Sequence, residues 1–219
     1  AIDSGPTPVI IAGYGRFGQI VSRLLRADGI EATLLDHDSG QIELTGRFGN
    51  KVFFGDASRV QLLQAAGAEE AKLLVIAIDE REKAVQMVQA AKQFFPHLKT
   101  LARAYDRSHA YRLMEAGADV VTRETFGSAL IMGEEALLLL GYDPARAYRL
   151  MRSFKRHDEE GLRKLYDVWG DDHAYGLRVR QNIEELERVL KDDSAEAEGH
   201  FRDAWQSMRD AETRRFSKD

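Results

Sequence analysis

Gly13, Gly15 and Gly18 stand at G-x-G-x-x-G spacing in Val9-Ile-Ile-Ala-Gly-Tyr-Gly-Arg-Phe-Gly-Gln-Ile20, between an apolar run and the start of a helical pattern. Each glycine has a separate job in such a turn. Gly13 permits the tight exit from a strand, Gly15 leaves room for a phosphate beside the backbone, and Gly18 lets the following helix pack close to a sheet. The first N–H groups of that helix have no partner within it, so they are ready donors to an anion. A second apolar run, Ile30 to Leu35, ends on Asp36, 18 residues after Gly18. An acid at that point can accept hydrogen bonds from both hydroxyls of a ribose. Strand, glycine turn, helix, strand and acid in this order predict an adenine-nucleotide site. Asp36 suits AMP and NAD(H) equally and argues only against a 2′-phosphate.

Further acids and cations fall where a parallel sheet would end its strands. Asp56 with Ala57 follows the third apolar run and reads as an adenine contact. Asp79, after Ile78 and the fourth run, reads either as a ligand residue or as a helix cap. Arg103 ends the fifth run, where it serves either as a cation beside phosphates or as the partner of Asp106. Arg16 lies in the phosphate turn itself, with Tyr14 and Phe17 as the other residues between the glycines. His37, next to the ribose acid, belongs to the rim. Arg16 and Arg23 are seven residues apart and so share a helix face, expected to lie opposite an Ile20, Val21 and Leu24 side packed on the sheet. Arginines in such a position suit carboxylate ligands, with a solvated pair as the alternative.

The elements that must hold these residues alternate as far as residue 140. Strands are expected at Val9–Ala12, Glu31–Leu35, Lys51–Phe54, Leu73–Ile78, Thr100–Ala104 and Asp119–Thr122, with helical patterns between them. Continuous apolar runs such as Leu73-Leu-Val-Ile-Ala-Ile78 fit strands covered on both faces. The fold class is therefore α/β: a Rossmann-type, doubly wound parallel sheet of six strands, followed by amphipathic C-terminal helices. Two domains are expected, a nucleotide-binding unit over 1–140 and a charged helical extension over 141–219. Residues 1–140 hold 15 basic and 18 acidic side chains, and residues 141–219 hold 16 and 18 in barely half the length. Asp143-Pro144 marks the break and a new helix start. The segment Phe126–Leu140 is apolar around most of its circumference, more than one sheet face requires, so a second chain should cover it.

Bulk properties exclude several classes. A net charge of -5 offers no basic field for nucleic acid. With no cysteine there is no disulfide, thiolate metal site or cysteine nucleophile, and six scattered histidines do not form a metal-binding pair. Neither a membrane-crossing run nor a signal-peptide pattern is present, so the fragment itself is expected to be soluble. An NAD-dependent oxidoreductase would share the nucleotide site, but it needs an acid–base group and a substrate wall. No Tyr-x-x-x-Lys pair occurs, and the polar tail is a poor substrate domain.

The motifs together carry a family resemblance from about Pro8 to Arg156. The glycine turn, Leu34-Leu-Asp-His-Asp38, Phe54-Gly-Asp-Ala-Ser58, Ala77-Ile-Asp79, Ala102-Arg-Ala104 and Arg123-Glu-Thr-Phe126 resemble the cytoplasmic KTN/RCK regulatory domain of the Kef C-type glutathione-gated potassium efflux systems. The resemblance implies a gate rather than an enzyme. In that family glutathione keeps the transporter closed and glutathione S-conjugates open it. The glutathione positions carried over are Arg23, Phe48 and Arg123, with Asp158 where the family usually has asparagine. That departure places an acid where an amide would bond a carboxylate. The resemblance also implies a homodimer, a transporter membrane domain in the inner (plasma) membrane, and a flavin-dependent quinone-reductase-like ancillary subunit. A nucleotide-only sensor subunit of another potassium transporter is the alternative with the same fold.

Overall fold

The computed structural model describes residues 7–37, 51–171 and 173–188. It divides into two compact units, one ending at Thr125 and one beginning at Phe126. The first unit is built on six parallel strands: β1 (Val9–Ala12), β2 (Ala32–Asp36), β3 (Lys51–Phe54), β4 (Leu73–Ile76), β5 (Lys99–Ala104) and β6 (Val120–Arg123). Their order across the sheet is β3-β2-β1-β4-β5-β6. The chain therefore winds outward twice from β1, whose residues pair on both sides: Val9 opposes Ala32 and Leu73, and Ala12 opposes Leu35 and Ile76. Between β1 and β4 the order reverses, and such a switch point opens a crevice above the carboxyl ends of the strands.

Both faces of the central strands are covered, which is why these segments are apolar at consecutive positions. Val9, Ile11, Ala32, Leu34 and Val75 point to the side of helix α1 (Arg16–Ala27), where Val21 and Leu25 pack on them. Ile10, Ala12, Leu35, Leu74 and Ile76 face the other way. There they meet Leu63 of α2 (Val60–Ala65), Ala84, Met87 and Val88 of α3 (Arg81–Phe94), and Leu113 of α4 (Arg107–Glu115). In α3 the buried positions Ala84, Val85, Met87, Val88 and Ala91 follow the i, i+3, i+4, i+7 rule of a one-sided helix. Asp106 caps α4 by accepting the His109 N–H at 2.8 Å.

The phase of α1 differs from the expectation. Its buried residues are Gly18 and Ser22, with Val21 and Leu25 beside them, whereas Ile20 and Leu24 are 67% and 72% exposed. Gly18 has to face the turn it closes, and that requirement fixes the rotation of the helix. Arg16 and Arg23 do share the outer face, in the company of Ile20 and Leu24.

The second unit contains α5 (Phe126–Leu139), α6 (Pro144–Tyr166) and a helix over 173–188. Asp143 caps α6, accepting the Arg146 N–H at 2.9 Å, and Pro144 follows in the first turn, so the Asp-Pro pair does start a helix. The third helix lies along α6 through His157 Nε2 and the Asn182 carbonyl at 3.0 Å, and through Lys164 and Glu185 at 3.6 Å. No described residue of α5 is buried, and Ile131, Met132 and Leu139 lie open. Among the described residues no helix is long and apolar enough to cross a membrane.

Candidate functional site

The glycine turn leaves β1 under tight steric control. The Gly13 N–H donates to the Leu35 carbonyl at 2.8 Å, and Gly13 has a φ of +92°. A side chain there is strained by the φ and would also bring its Cβ to 2.7 Å from the Ala77 carbonyl carbon. A Cβ on Gly18 would collide with the Gly13 carbonyl oxygen, whereas one on Gly15 would meet no atom within 4 Å. Gly15 thus borders open space, at the N-cap of a helix with no side-chain cap and no acid in its first turn. The orphan N–H groups of α1 consequently face that space.

Asp36 closes the other side. Its carboxylate is buried at the end of β2, and Oδ2 accepts the Tyr14 N–H at 2.6 Å. One carboxylate therefore both holds the turn and borders the cleft. His37 is exposed, with Nδ1 3.6 Å from Asp36 Oδ1. A cleft of about 270 Å³ is lined by Gly13, Gly15, Arg16, Asp36, His37, Ala77, Ile78, Asp79, Glu80, Arg103 and Glu124. A smaller recess of about 80 Å³ adjoins it, sharing Gly13, Asp36, His37, Ile78 and Glu80 and adding Leu35, Gly55, Asp56, Ala57 and Lys83. Asp56 Oδ1 accepts both the Ser58 hydroxyl at 2.7 Å and the Ser58 N–H at 3.1 Å, and these bonds hold its carboxyl below the usual range. The arrangement offers donors for a phosphate, an acceptor for a ribose and an apolar slot for a flat base.

Arg103, buried at the end of β5, has partners other than the one its sequence neighbourhood suggests. Nη2 donates to the Ile78 carbonyl at 2.7 Å and to Asp79, while Nη1 lies 3.6 Å from Glu124 Oε1. Asp106 pairs instead with Arg81 at 3.0 Å. The sheet order explains this correction: β5 lies between β4 and β6, so the residues following those two strands are its neighbours. Asp79 is exposed and is not a helix cap, since Glu80 holds the cap position of α3.

Of the sequence-predicted residues, Gly13, Gly15, Arg16, Asp36, His37, Ile78, Asp79 and Arg103 converge on the main cleft, and Asp56 and Ala57 on the recess. Tyr14 contributes its N–H and packs its ring on the core, and Phe17 places its ring 5.6 Å from the Arg103 guanidinium. Gly18 supports the turn from behind. Arg23 is exposed on α1, and Arg123 is half-buried at the end of β6 in the same unit. Asp158 is half-buried on α6 of the second unit, and Phe48 lies outside the described residues. Glu80, Lys83 and Glu124 were not anticipated as cleft residues. Glu124 stands just after the sixth strand, so the strand-end rule applied to Asp36 and Asp79 would have found it.

The doubly wound sheet, the glycine turn and the strand-end acids define a Rossmann-type nucleotide-binding domain. Sequence comparison narrows the class: residues 9–124 match the TrkA-N domain, and residues 128–210 match the potassium efflux system KefB C-terminal domain. The C-terminal domain of a Kef protein from Shewanella denitrificans, solved in an AMP-bound form, is 51% identical over 74% of this chain and 99% of that one, with a TM-score of 0.69. The TrkA-N domain of the inner membrane protein ybaL from Escherichia coli is 24% identical over 59% of this chain and 96% of that one, with a TM-score of 0.56. The GsuK channel bound to NAD is 16% identical over 61% of this chain and 24% of that one, with a TM-score of 0.54. The last two support the fold alone. The chain belongs to the Kef potassium efflux systems, as their C-terminal KTN/RCK regulatory domain.

Proposed function

We propose that this domain senses ligands on the cytoplasmic side of an inner-membrane potassium/proton efflux transporter, which reduced glutathione closes and glutathione S-conjugates open. The observation that carries the nucleotide half of this reading is Asp36, buried at the strand end and bonded to the Tyr14 N–H of the glycine turn. In this arrangement a ribose takes the rest of the carboxylate, a phosphate takes the α1 N-terminus and Arg16, and adenine takes the recess at Asp56 and Ala57. AMP or NAD(H) satisfies these groups, and the AMP-bound relative supports the first.

Arg23 and Arg123 support the glutathione half as cations suited to its two carboxylates, with Phe48 as the aromatic that a bulky conjugate displaces and Asp158 as a fourth position. The exposed apolar residues of α5 favour a homodimer, each chain joined to a transporter membrane domain. A flavin-dependent ancillary subunit is the further partner in this reading. Gating then needs no chemistry, only differential affinity: glutathione prefers the closed arrangement and its conjugates the open one. Calorimetric titration of the purified chain with reduced glutathione and a bulky S-conjugate tests the proposal, after mass spectrometry of any nucleotide it carries. Competitive, saturable binding, tighter for the conjugate, is expected. Heat from neither, with nucleotide retained, would leave a nucleotide-only sensor.

A further inference from the structure

Residues that line the cleft come from three chain segments, and one buried ring ties the three together. Ile78, Asp79 and Glu80 follow β4, Arg103 stands at the end of β5, and Glu124 follows β6. The peptide joining Ala104 to Tyr105 is held at both ends: its carbonyl accepts the Glu124 N–H at 2.8 Å, and its N–H donates to His109 Nδ1 at 3.1 Å. On the other side of the ring, His109 Nε2 meets the carbonyl of Arg81, the residue after Glu80, at 3.2 Å. A backbone N–H can only donate and a carbonyl only accept, so the neutral ring carries its proton on Nε2 and leaves Nδ1 bare. Both nitrogens are committed, and the residue is only 3% exposed. Arg103, donating to the Ile78 carbonyl at 2.7 Å, and the Arg81–Asp106 pair at 3.0 Å join the same two loops.

Protonation would give Nδ1 a hydrogen that points at the Tyr105 N–H, donor against donor. One bond of the ring must then open. It is the bond to Tyr105, since the Arg81 carbonyl remains an acceptor and gains from the charge. The surrounding charges do not absorb a further cation. Arg81 and Glu82 of α3 face the ring, with Asp106 and Arg112 from its own helix; Asp106 is paired with Arg81, and Glu82 with Arg112. Tyr105, after β5, places its ring 3.8 Å from the Arg81 guanidinium. Among these side-chain types only histidine ordinarily changes charge between about pH 5 and 8. Burial already disfavours its charged form. We propose that His109 is a pH-sensitive clasp: neutral, it holds the loops after β4 and β5 in the arrangement that binds nucleotide, and protonated, it frees the Ala104–Tyr105 peptide and weakens that binding. The proposal rests on the nucleotide reading above and adds a regulator to it, whichever nucleotide the cleft takes. Linkage makes the effect mutual, so nucleotide bound to the clasped form opposes protonation of the ring. In the potassium/proton transporter proposed above, such a clasp lets the regulatory domain register a fall in pH.

The test is calorimetric titration of the full chain, freed of bound nucleotide, with AMP and with NAD at pH 7.5 and 5.5. The quantity read is how far the affinity of the tighter binder falls between the two. A fall of roughly tenfold is expected in the native chain and of about threefold or less in His109→Gln, since glutamine keeps an acceptor and a donor but takes up no proton. What fall remains in the variant reports groups common to both proteins, such as a terminal phosphate of the ligand or His37 in the cleft. Equal falls in the two proteins overturn the clasp and leave the nucleotide site standing. A second measurement needs no variant: nuclear magnetic resonance of isotope-labelled histidines, in which His109 should titrate at lower pH in the nucleotide-saturated chain than in the free one. The same midpoint in both states also overturns the clasp. If neither AMP nor NAD binds at either pH, the nucleotide reading is refuted and the clasp with it.

Discussion

The Tyr14 N–H donates to Asp36 Oδ2 at 2.6 Å, so the acid expected to hold a ribose also ties down the turn expected to hold the phosphate. Two parts of one site are thus set by a single buried carboxylate, and its removal should show in both stability and binding. Asp36→Ala is expected to cost about 1.5–3 kcal/mol, the range for a hydrogen bond to a charged group. Nucleotide affinity should fall by roughly tenfold or more, the equivalent of about 1.4 kcal/mol lost at the ribose. Urea unfolding of nucleotide-free protein and titration with AMP measure the two separately. Unchanged AMP affinity in Asp36→Ala would remove Asp36 from the site.

Gly15 and Gly18 give a contrast that separates folding from binding. Alanine at Gly18 drives its Cβ into the Gly13 carbonyl oxygen, and alanine at Gly15 meets no atom. Gly18→Ala is expected to lower stability by about 1–3 kcal/mol through overpacking. Gly15→Ala should leave the melting temperature of the nucleotide-free chain nearly unchanged and weaken AMP binding, because its methyl group occupies the phosphate's space. Melting curves with and without AMP decide the matter, and the assignment fails if Gly15→Ala binds AMP as the native chain does.

Much of this was legible in the residues. The Val9–Ala12 strand falls where its apolar run places it, because buried parallel strands announce themselves by continuous hydrophobicity, and the Lys51–Phe54 strand also falls at its expected bounds, although it lies at the sheet edge with Lys51 and Phe54 exposed. The phase of α1 was not legible from side-chain polarity: Ile20 and Leu24 look like core residues, but the close approach required at Gly18 outweighs them and turns both outward. Arg103 was placed in the site but given a neighbour in sequence, Asp106, as its alternative partner. Its partners in space, Asp79 and Glu124, follow only once the strand order is known. Phe48 lies beyond the described residues, and its role stays with the resemblance that suggested it.

His109 makes the domain sensitive to mild acid. Its ring is buried, with Nδ1 accepting the Tyr105 N–H at 3.1 Å, so the other ring nitrogen carries the proton and donates to the Arg81 carbonyl at 3.2 Å. Burial is the main cause that holds its pKa below the ordinary value; the Arg81 carbonyl and Asp106 oppose the shift, and Arg112 and Arg81 add to it. The unfolded chain therefore protonates first, near pH 6.5, and binds more protons than the folded one below it. Stability should be fully present above about pH 6.5 and decline as the pH falls toward the folded pKa. Thermal melts at pH 7.5 and 5.5 should show the drop, and His109→Gln should flatten it. An undiminished slope in that variant would assign the sensitivity to another group.

Asp119 also loses its contribution as the pH falls, but in a window well below that of His109, so it serves as a control for mild-acid effects. Burial pushes its carboxyl up, but the Lys92 ammonium, the Thr100 N–H and hydroxyl and the Lys99 ammonium outweigh that and hold it far below the carboxylate range. A depressed folded pKa means that its contribution is complete above the unfolded carboxylate value and lost only as the pH falls through the folded one. Asp119→Asn keeps the shape but leaves Lys92 and Thr100 short of a charged acceptor, so a loss of about 1–3 kcal/mol is expected. It should appear equally at pH 7.5 and 5.5, in denaturant curves taken at both. A loss confined to one of those values contradicts the assigned charge state.

The glutathione reading stands or falls on Arg123 and Asp158. Arg123 ends β6 in the sheet unit, immediately before Glu124, whose N–H is fixed on the Ala104 carbonyl at 2.8 Å. The backbone there is held by the sheet, so Arg123→Ala should remove glutathione binding and leave AMP affinity intact. Equal loss of both would reveal a folding defect instead. Asp158 offers the converse test, since a carboxylate facing an anionic ligand weakens it, by roughly tenfold for like charges a few ångströms apart in partly solvated surroundings. Asp158→Asn should therefore tighten glutathione binding by about that factor, and raising the salt should narrow the gap between the two proteins. If the substitution leaves the affinity unchanged at both low and high salt, Asp158 does not face the ligand and drops out of the proposed site.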